Sequence, residues 1–430
     1  MPHSPAWKRG CASGYLERVL IVQKYGGTSV GSLDLIRRVA ERVSAARAAG
    51  DSLVVVVSAM GDSTDRLVDL ARGVCREPDA REMDVLLSTG EQVSTALLCM
   101  ALREHGCPAR SYTGAQVRIL TTSAHSRARI EEVEKTRLLA DVEKGVVPVV
   151  AGFQGVDRDG NITTIGRGGS DTTAVALAVA LQADECQILT DVEGVYTTDP
   201  RMVPQARRLD RVTFDEMLEL AGQGSRVLHL RCVEFASKYN VPLRVASSFS
   251  KGPGTLICRE WRTTEGGRVE APVVSGIAFN RDEAEITVTG VPHAPGSAHQ
   301  LLKPVSDASI EIDMIVLNAP REGRVDLGFT VHRDDYAAAL RLVSEAAARM
   351  PGAAVSGNDR VAKLSVVGVG MRSHAGVATT LFGTLAGESI NVRMVSTSEI
   401  KISVLVDEQA LERGVRSLHA AFGLERIAAQ

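Results

Sequence analysis

The stretch VLIVQKYGGTSVGS, residues 19–32, reads as a strand that breaks at the pair Gly26-Gly27 and then opens a helix, with Ser32 as its natural cap. Two adjacent glycines let the backbone approach an anion closely, and the N–H groups at a helix start favour negative charge there. Lys24 adds a mobile positive charge beside the turn. The pattern is not a P-loop, because the lysine precedes the glycines and the spacing differs. Taken alone, such a turn suits a purely structural role as well as a phosphate.

Outward from this turn, strand-like runs at residues 53–58, 146–151, 187–190 and 243–246 alternate with helical spacing at 33–49, 83–105, 171–183 and 213–238. That alternation predicts a mainly parallel α/β sheet covered by helices, with ligands at the carboxyl ends of the strands. Two more polar stretches fall at such ends. Thr164 to Thr173 (TIGRGGSDTT) leads into an apolar helix; Arg167 suits a carboxylate through a two-pronged contact, and Asp171 either caps the helix or organises a phosphoryl group. Thr190 to Arg201 (TDVEGVYTTDPR) reads as a strand end and a polar loop, able to hold a nucleotide or simply to connect.

The last third carries a weak duplication. ITVTGV at 286–291 resembles LSVVGV at 364–369, and SIEIDM at 309–314 resembles SINVRM at 389–394. Each copy predicts a ferredoxin-like βαββαβ unit. KGPG at 251–254 and the polar residues 259–270 mark the boundary before it.

Composition narrows the class. The 430 residues carry 49 Lys+Arg against 52 Asp+Glu, a formal charge of −3, so no basic excess drives contact with nucleic acid or anionic lipid. The longest apolar run, residues 174–181, is far shorter than the roughly 20 needed to cross a bilayer. Residues 1–18 form an arm without the apolar core of a secretory signal, which makes a cytoplasmic setting the expectation. Seven scattered cysteines contain no C-x-x-C pair, and nine histidines no H-E-x-x-H, so no resident transition metal is expected; any metal should arrive with the substrate.

The three turns, together with SAMG at 58–61 and STGE at 88–91, in this order and spacing, resemble the amino-acid kinase family, specifically the aspartate kinases with a C-terminal pair of ACT modules. The resemblance runs from about Val19 to Phe422. It implies an amino-acid kinase domain over 19–258, a linker at 259–270, and ACT modules at 271–357 and 358–430, with the strand near Val273 to Phe279 completing the second module. The implied activity is ATP-dependent phosphorylation of the aspartate β-carboxylate, with Mg²⁺, as the first step toward lysine, threonine and methionine. By the same resemblance Lys24 and Asp171 are catalytic; Ser58, Thr64, Glu91, Arg167 and Gly168 bind aspartate; and Lys24, Tyr25, Gly26, Gly27, Thr190, Asp191, Tyr196, Arg201 and Arg226 surround ATP. Arg226 stands where the family usually has a lysine, which keeps the charge but changes its reach. Lysine or threonine is the implied effector, near Gly296, Asn391 and Val392, and the ACT modules imply a homodimer or larger assembly. Feedback-inhibited relatives tend to carry Ser-Asp and Gln where this chain has Pro292-His293 and Leu317, so weakened or altered feedback is expected. Another amino-acid kinase, or a non-catalytic amino-acid sensor, is the alternative.

Overall fold

The computed structural model describes residues 19–222, 227–259, 274–369, 371 and 376–425. The described chain divides into two units that are not consecutive in sequence. The first takes residues up to Val195, Arg208–Leu218 and Arg226–Arg262; the second takes Tyr196–Arg207, Glu219–Ser225 and everything from Thr263 onward.

In the first unit the strands are β1 (Leu20–Tyr25), β2 (Ser52–Val57), β3 (Ala109–Tyr112), β4 (Ile119–Thr121), β5 (Ile130–Val133), β6 (Val147–Ala151), β7 (Gln154–Val156), β8 (Ile162–Thr164), β9 (Glu185–Thr190), β10 (Arg211–Thr213), β11 (Leu243–Ser247) and β12 (Thr255–Cys258). The helices are α1 (Leu33–Ala48), α2 (Ser63–Val74), α3 (Ala80–Glu104), α4 (Thr136–Glu143), α5 (Gly169–Leu181), α6 (Phe214–Gly222), whose residues from Glu219 onward count with the second unit, and α7 (Leu230–Tyr239). Eight strands form one sheet in the order β10-β12-β11-β9-β1-β2-β6-β3, parallel except where β11 meets β12. A small second sheet runs β5-β4-β7-β8.

Every residue of β1 is buried, as the apolar run requires of a central strand covered on both faces. From β1 the chain goes to β2 on one side, while β9 lies on the other, so the order reverses at β1 and leaves a crevice at its carboxyl end. α5 is apolar around most of its circumference and correspondingly buried. α3 is long and apolar enough to cross a membrane by length and composition, yet 56% of its apolar window is buried inside the protein, the behaviour of a core helix. The single helix expected over 213–238 is instead two, α6 and α7.

The second unit holds β13 (Gly276–Pro292), α8 (Ser297–Asp307), β14 (Ile312–Leu317), β15 (Arg324–His332), α9 (Tyr336–Ala347), β16 (Ala354–Val367), α10 (Val377–Gly387), β17 (Met394–Thr397), β18 (Lys401–Asp407) and α11 (Leu411–Ala421). These strands form one antiparallel sheet, β14-β15-β13-β16-β18-β17; the first repeat has the expected βαββαβ order, whereas the second runs βαββα among the described residues and takes its remaining strand from Gly276–Asn280 of β13. β13 and β16 are long because each serves both repeats: Gly276–Asn280 pairs with the carboxyl end of β16, and Glu285–Thr289 with its amino end. The register is symmetric. Asn280 pairs with Lys363 and Glu285 with Asn358; adding 78 to one residue of each pair and subtracting it from the other converts the first pair into the second, and Glu283↔Val361 maps onto itself.

Helices α8 and α9 close one apolar core around Ile286, Leu327 and Phe329, and α10 and α11 another around Leu364, Val404 and Leu418. The polar residues of this unit pair across the repeats. Lys363, 3% exposed, lies 2.7 Å from Glu283 and also contacts Asp313, while Arg393 Nε donates to Glu285 at 2.7 Å. Residues 196–207 are built into the same unit: Ile277 N donates to Thr197 O at 2.7 Å, Thr197 Oγ1 lies 2.9 Å from His419 Nε2, and Met202 and Val203 join the α10–α11 core.

Candidate active site

The glycine turn after β1 is fixed by its own backbone. Gly26 N donates to Leu189 O at 3.2 Å, and Gly61 N donates to Gly27 O at 3.1 Å. A Cβ on Gly27 would stand 2.9 Å from Ala59 O, so only glycine lets the SAMG turn press against this one. Lys24, the fifth residue of β1, is 9% exposed, and its Nζ lies 2.6 Å from Asp171 Oδ1 in the first turn of α5. Two turns separated by some 140 residues of chain thus meet at one ion pair.

The turn that begins α5 takes two left-handed glycines, Gly166 (φ 84°) and Gly168 (φ 67°), on either side of Arg167. A Cβ on Gly168 would lie 2.4 Å from the His229 side chain. Arg167 between them is exposed, with no ion-pair partner among the described residues.

Glu91 sits on the buried face of α3, 3% exposed. Its Oε1 accepts from Ala59 N at 3.0 Å, and its Oε2 is buried with no hydrogen-bond partner among the described residues. Burial lifts its pKa to about 7, against the pull of the Ala59 N–H. Gly90 makes this approach possible, since a Cβ there would fall 2.8 Å from the Ala59 methyl. Ser58, which follows β2, and Thr64 in the first turn of α2 are both half-buried.

Of the residues expected around a nucleotide, Thr190 ends β9 and Asp191 follows it, both in the first unit, with Thr190 O accepting from Ser248 N at 2.7 Å. Tyr196 and Arg201 belong to the second unit. Asp199 holds Arg201 through Nε and Nη2 at 3.0 and 2.7 Å, and this guanidinium lowers the Asp199 pKa. The Tyr25 phenol does not face the turn: it is fully buried in the core and donates to Gln23 Oε1 at 3.2 Å, which leaves only the Tyr25 backbone at the crevice. Arg226 lies outside the described residues. In the second unit Gly296 caps α8 in a left-handed conformation (φ 92°), Asn391 is exposed and Val392 packs on the α10–α11 core. Pro292 ends β13, His293 N donates to Gly323 O, and Leu317 ends the edge strand β14, 52% exposed.

Cys186 and Cys232 are fully buried, and burial, with the Asp171 charge nearby, pushes their pKa values up. Among the described residues no group of three or more His, Cys, Asp or Glu is placed to hold a metal ion. A surface cavity lined by Arg47, Ser52 and Val147 lies at the amino ends of β2 and β6, the opposite edge of the sheet from these turns.

One polar network leaves no mark in the sequence. Asp84, on the same face of α3 as Glu91, is fully buried and accepts from Thr164 Oγ1 (2.5 Å), His125 Nδ1 (2.8 Å) and Ser126 N (3.0 Å). In sequence it is an ordinary acid in a helix, and its partners are 41 to 80 residues away, so no local pattern announces it.

Residues 19–247 match the amino acid kinase family, and residues 364–422 match an ACT domain. The chain is 59% identical over 411 residues to the aspartokinase of Pseudomonas aeruginosa, covering 96% of this chain and 99% of that protein. Among solved structures it is similar to E. coli aspartokinase III in complex with aspartate and ADP in the R-state, at 28% identity and a TM-score of 0.77. The same enzyme in complex with lysine and aspartate in the T-state gives 28% and 0.75; both comparisons cover 94% of this chain and 99% of the other.

Proposed function

Because the chain belongs to the aspartokinase branch of the amino acid kinase family, we propose that it transfers the γ-phosphoryl group of ATP to the side-chain carboxylate of L-aspartate, giving 4-phospho-L-aspartate. The observation that carries this reading is the 2.6 Å pair between Lys24 and Asp171, which joins the two glycine turns at the crevice beside β1.

The accepting carboxylate, with an ordinary pKa of about 3.9, is already ionised at neutral pH, so no general base is required. The obstacle is repulsion between an anion and a polyanion. Catalysis then consists of alignment and charge neutralisation. Lys24 Nζ, held over Gly26, is placed to stabilise the transferring phosphoryl group, with the N–H groups of Gly26 and Gly27 as further donors. Asp171 orients Lys24 until the phosphates draw it away. Mg²⁺ would come bound to the triphosphate and neutralise its oxygens; Asp171, a lone carboxylate at the turn, fits an ion carried by phosphates better than a dedicated cage. Thr190 and Asp191 sit at the edge of the same crevice, suited to the nucleoside.

Glu91 and Arg167 divide the rest of the substrate. The unpartnered Oε2 of Glu91 suits the ammonium, and the free guanidinium of Arg167 suits the α-carboxylate through paired N–H donors. Ser58, Thr64 and Gly168 complete that half. Because the acceptor is already ionised, the turns need no activated Ser, Cys or His.

The paired repeats are the regulatory part, acting in the cytoplasm in an assembly built through them. E. coli aspartokinase III was solved with lysine, and an amino acid of that kind is the effector proposed here, close to Gly296, Asn391 and Val392. With His293 and Leu317 at positions where feedback-inhibited relatives tend to have an acid and an amide, inhibition is expected to be weak or altered. A coupled assay of ATP turnover against a panel of acceptor amino acids tests the activity. Turnover that depends on aspartate supports it, and preference for another acceptor refutes it. Millimolar lysine, threonine and both together test regulation; strong concerted inhibition would contradict the weakened-feedback reading.

A further inference from the structure

We propose that Asp84 is the positioning residue of the aspartate pocket, bolting the turn that carries Arg167 to the helix that carries Glu91; the inference rests on the substrate roles proposed above. Asp84 and Glu91 are seven residues apart on α3, two turns along one face. Thr164, which gives its hydroxyl to Asp84 Oδ1, ends β8 three residues before Arg167. Ser126 N and His125 Nδ1 bring the loop between β4 and β5 to the same carboxylate. That loop borders the Arg167 turn, since a Cβ on Gly166 would stand 3.0 Å from Ser126 O, and Ala128 N donates to Thr164 O at 2.9 Å. Midway between Asp84 and Glu91, Ser88 O accepts from Gln154 Nε2 at 2.8 Å, a second tie from α3 to the small sheet.

A fully buried carboxylate is costly unless its oxygens are well supplied with donors, and three donors from two other segments supply it. Apolar packing at this place would let helix and turn slide past each other. Directional bonds to one carboxylate fix their offset, and with it the separation between Glu91, which takes the substrate ammonium, and Arg167, which takes its carboxylate. None of these bonds involves Lys24, Gly26, Gly27 or Thr190, so the turn after β1 has no direct tie to Asp84 and meets the bolted turn only through the Lys24–Asp171 pair.

The test is steady-state kinetics on the full chain for wild type, Asp84→Asn, Thr164→Val and Thr164→Ser, with thermal unfolding alongside. Aspartate-dependent turnover by the wild type is the prior condition; its absence overturns the activity rather than the bolt. Asp84→Asn keeps the shape but turns an N–H₂ toward donors, and a displacement on the order of 1 Å should raise the aspartate KM about tenfold or more. The ATP KM should stay within about threefold, and kcat should fall by less than the aspartate KM rises, since Asp171 stands in the helix turn that follows Arg167. Thr164→Val should reproduce the effect and Thr164→Ser, which retains the hydroxyl, should restore near wild-type values; these two also decide the matter if Asp84→Asn does not fold. Equal rises in both KM values, or a fall in unfolding temperature with an unmoved aspartate KM, would overturn the assignment.

Discussion

Lowering the pH should weaken aspartate binding through a single group, Glu91. Its pKa of about 7 means that near neutrality roughly half of the molecules carry a protonated Glu91 before substrate arrives. The substrate ammonium stays protonated throughout this range and requires the anion. Since the pKa is raised, the neutral form prevails below pH 7 and the binding-competent form above it, so binding releases a proton there. The competent fraction falls as 1/(1 + 10^(7−pH)), which from pH 8 to pH 6 predicts a decline of about tenfold in kcat/KM for aspartate at saturating ATP. Glu91→Gln keeps an oxygen to accept from Ala59 N but cannot ionise. It should flatten the pH profile and cost about 1.5–3 kcal/mol of a charge-assisted bond, roughly a 10- to 150-fold rise in the aspartate KM at pH 8. Titration of the ATP phosphates affects both proteins alike, so the difference between their profiles isolates Glu91. A wild-type kcat/KM that is level from pH 6 to 8, or a Glu91→Gln profile with the wild-type slope, would show that Glu91 is not the group that governs aspartate binding.

Three further outcomes are expected. Lys24→Ala should lower kcat by at least about 10²–10³-fold while the unfolding temperature shifts by only a few degrees; near-normal kcat would remove Lys24 from catalysis. Gly27→Ala forces a methyl against Ala59 O, so urea unfolding should register a loss of about 1–3 kcal/mol together with a raised ATP KM. Glu285→Arg should cost about 1–2 kcal/mol, less than a fully buried pair because Arg393 is 37% exposed, and the exchange Glu285→Arg with Arg393→Glu should recover most of it in a double-mutant cycle.

The parts of this molecule legible in its sequence are those decided within a few residues. Gly26-Gly27 and the Gly166 to Gly169 turn announce themselves because a close backbone approach and a positive φ demand glycine locally. The central strands follow from their apolar runs, and the duplication of the sensor from repeated strings. What escaped depends on distant contacts. Tyr25 reads as part of a phosphate turn, but it sits in a strand buried on both faces, and its ring enters the core. Asp84 looks like any helix acid until the fold brings Thr164 and His125 to it. Periodicity across 213–238 cannot register that one apolar stripe is shared by two helices. Nor does any local signal say that residues 196–207, continuous with a kinase strand, pack with Ile277 and His419.

The symmetric register of β13 and β16 bears on how the sensor chooses its own halves. A ladder unchanged when the repeats trade places is blind to identity, since the same backbone bonds would form between two first repeats or two second repeats. The charges are not blind. Glu285 has Lys363 as its counterpart 78 residues on, and Asp313 has Arg393, each just before Met314 and Met394; the two cross-repeat pairs are therefore related by the symmetry but opposite in sign. Two first repeats would set Glu285 against Asp313, and two second repeats Lys363 against Arg393. Such like-charge juxtapositions disfavour exchange of halves between chains, so four side chains give a preference for unlike halves to a sheet whose backbone is indifferent.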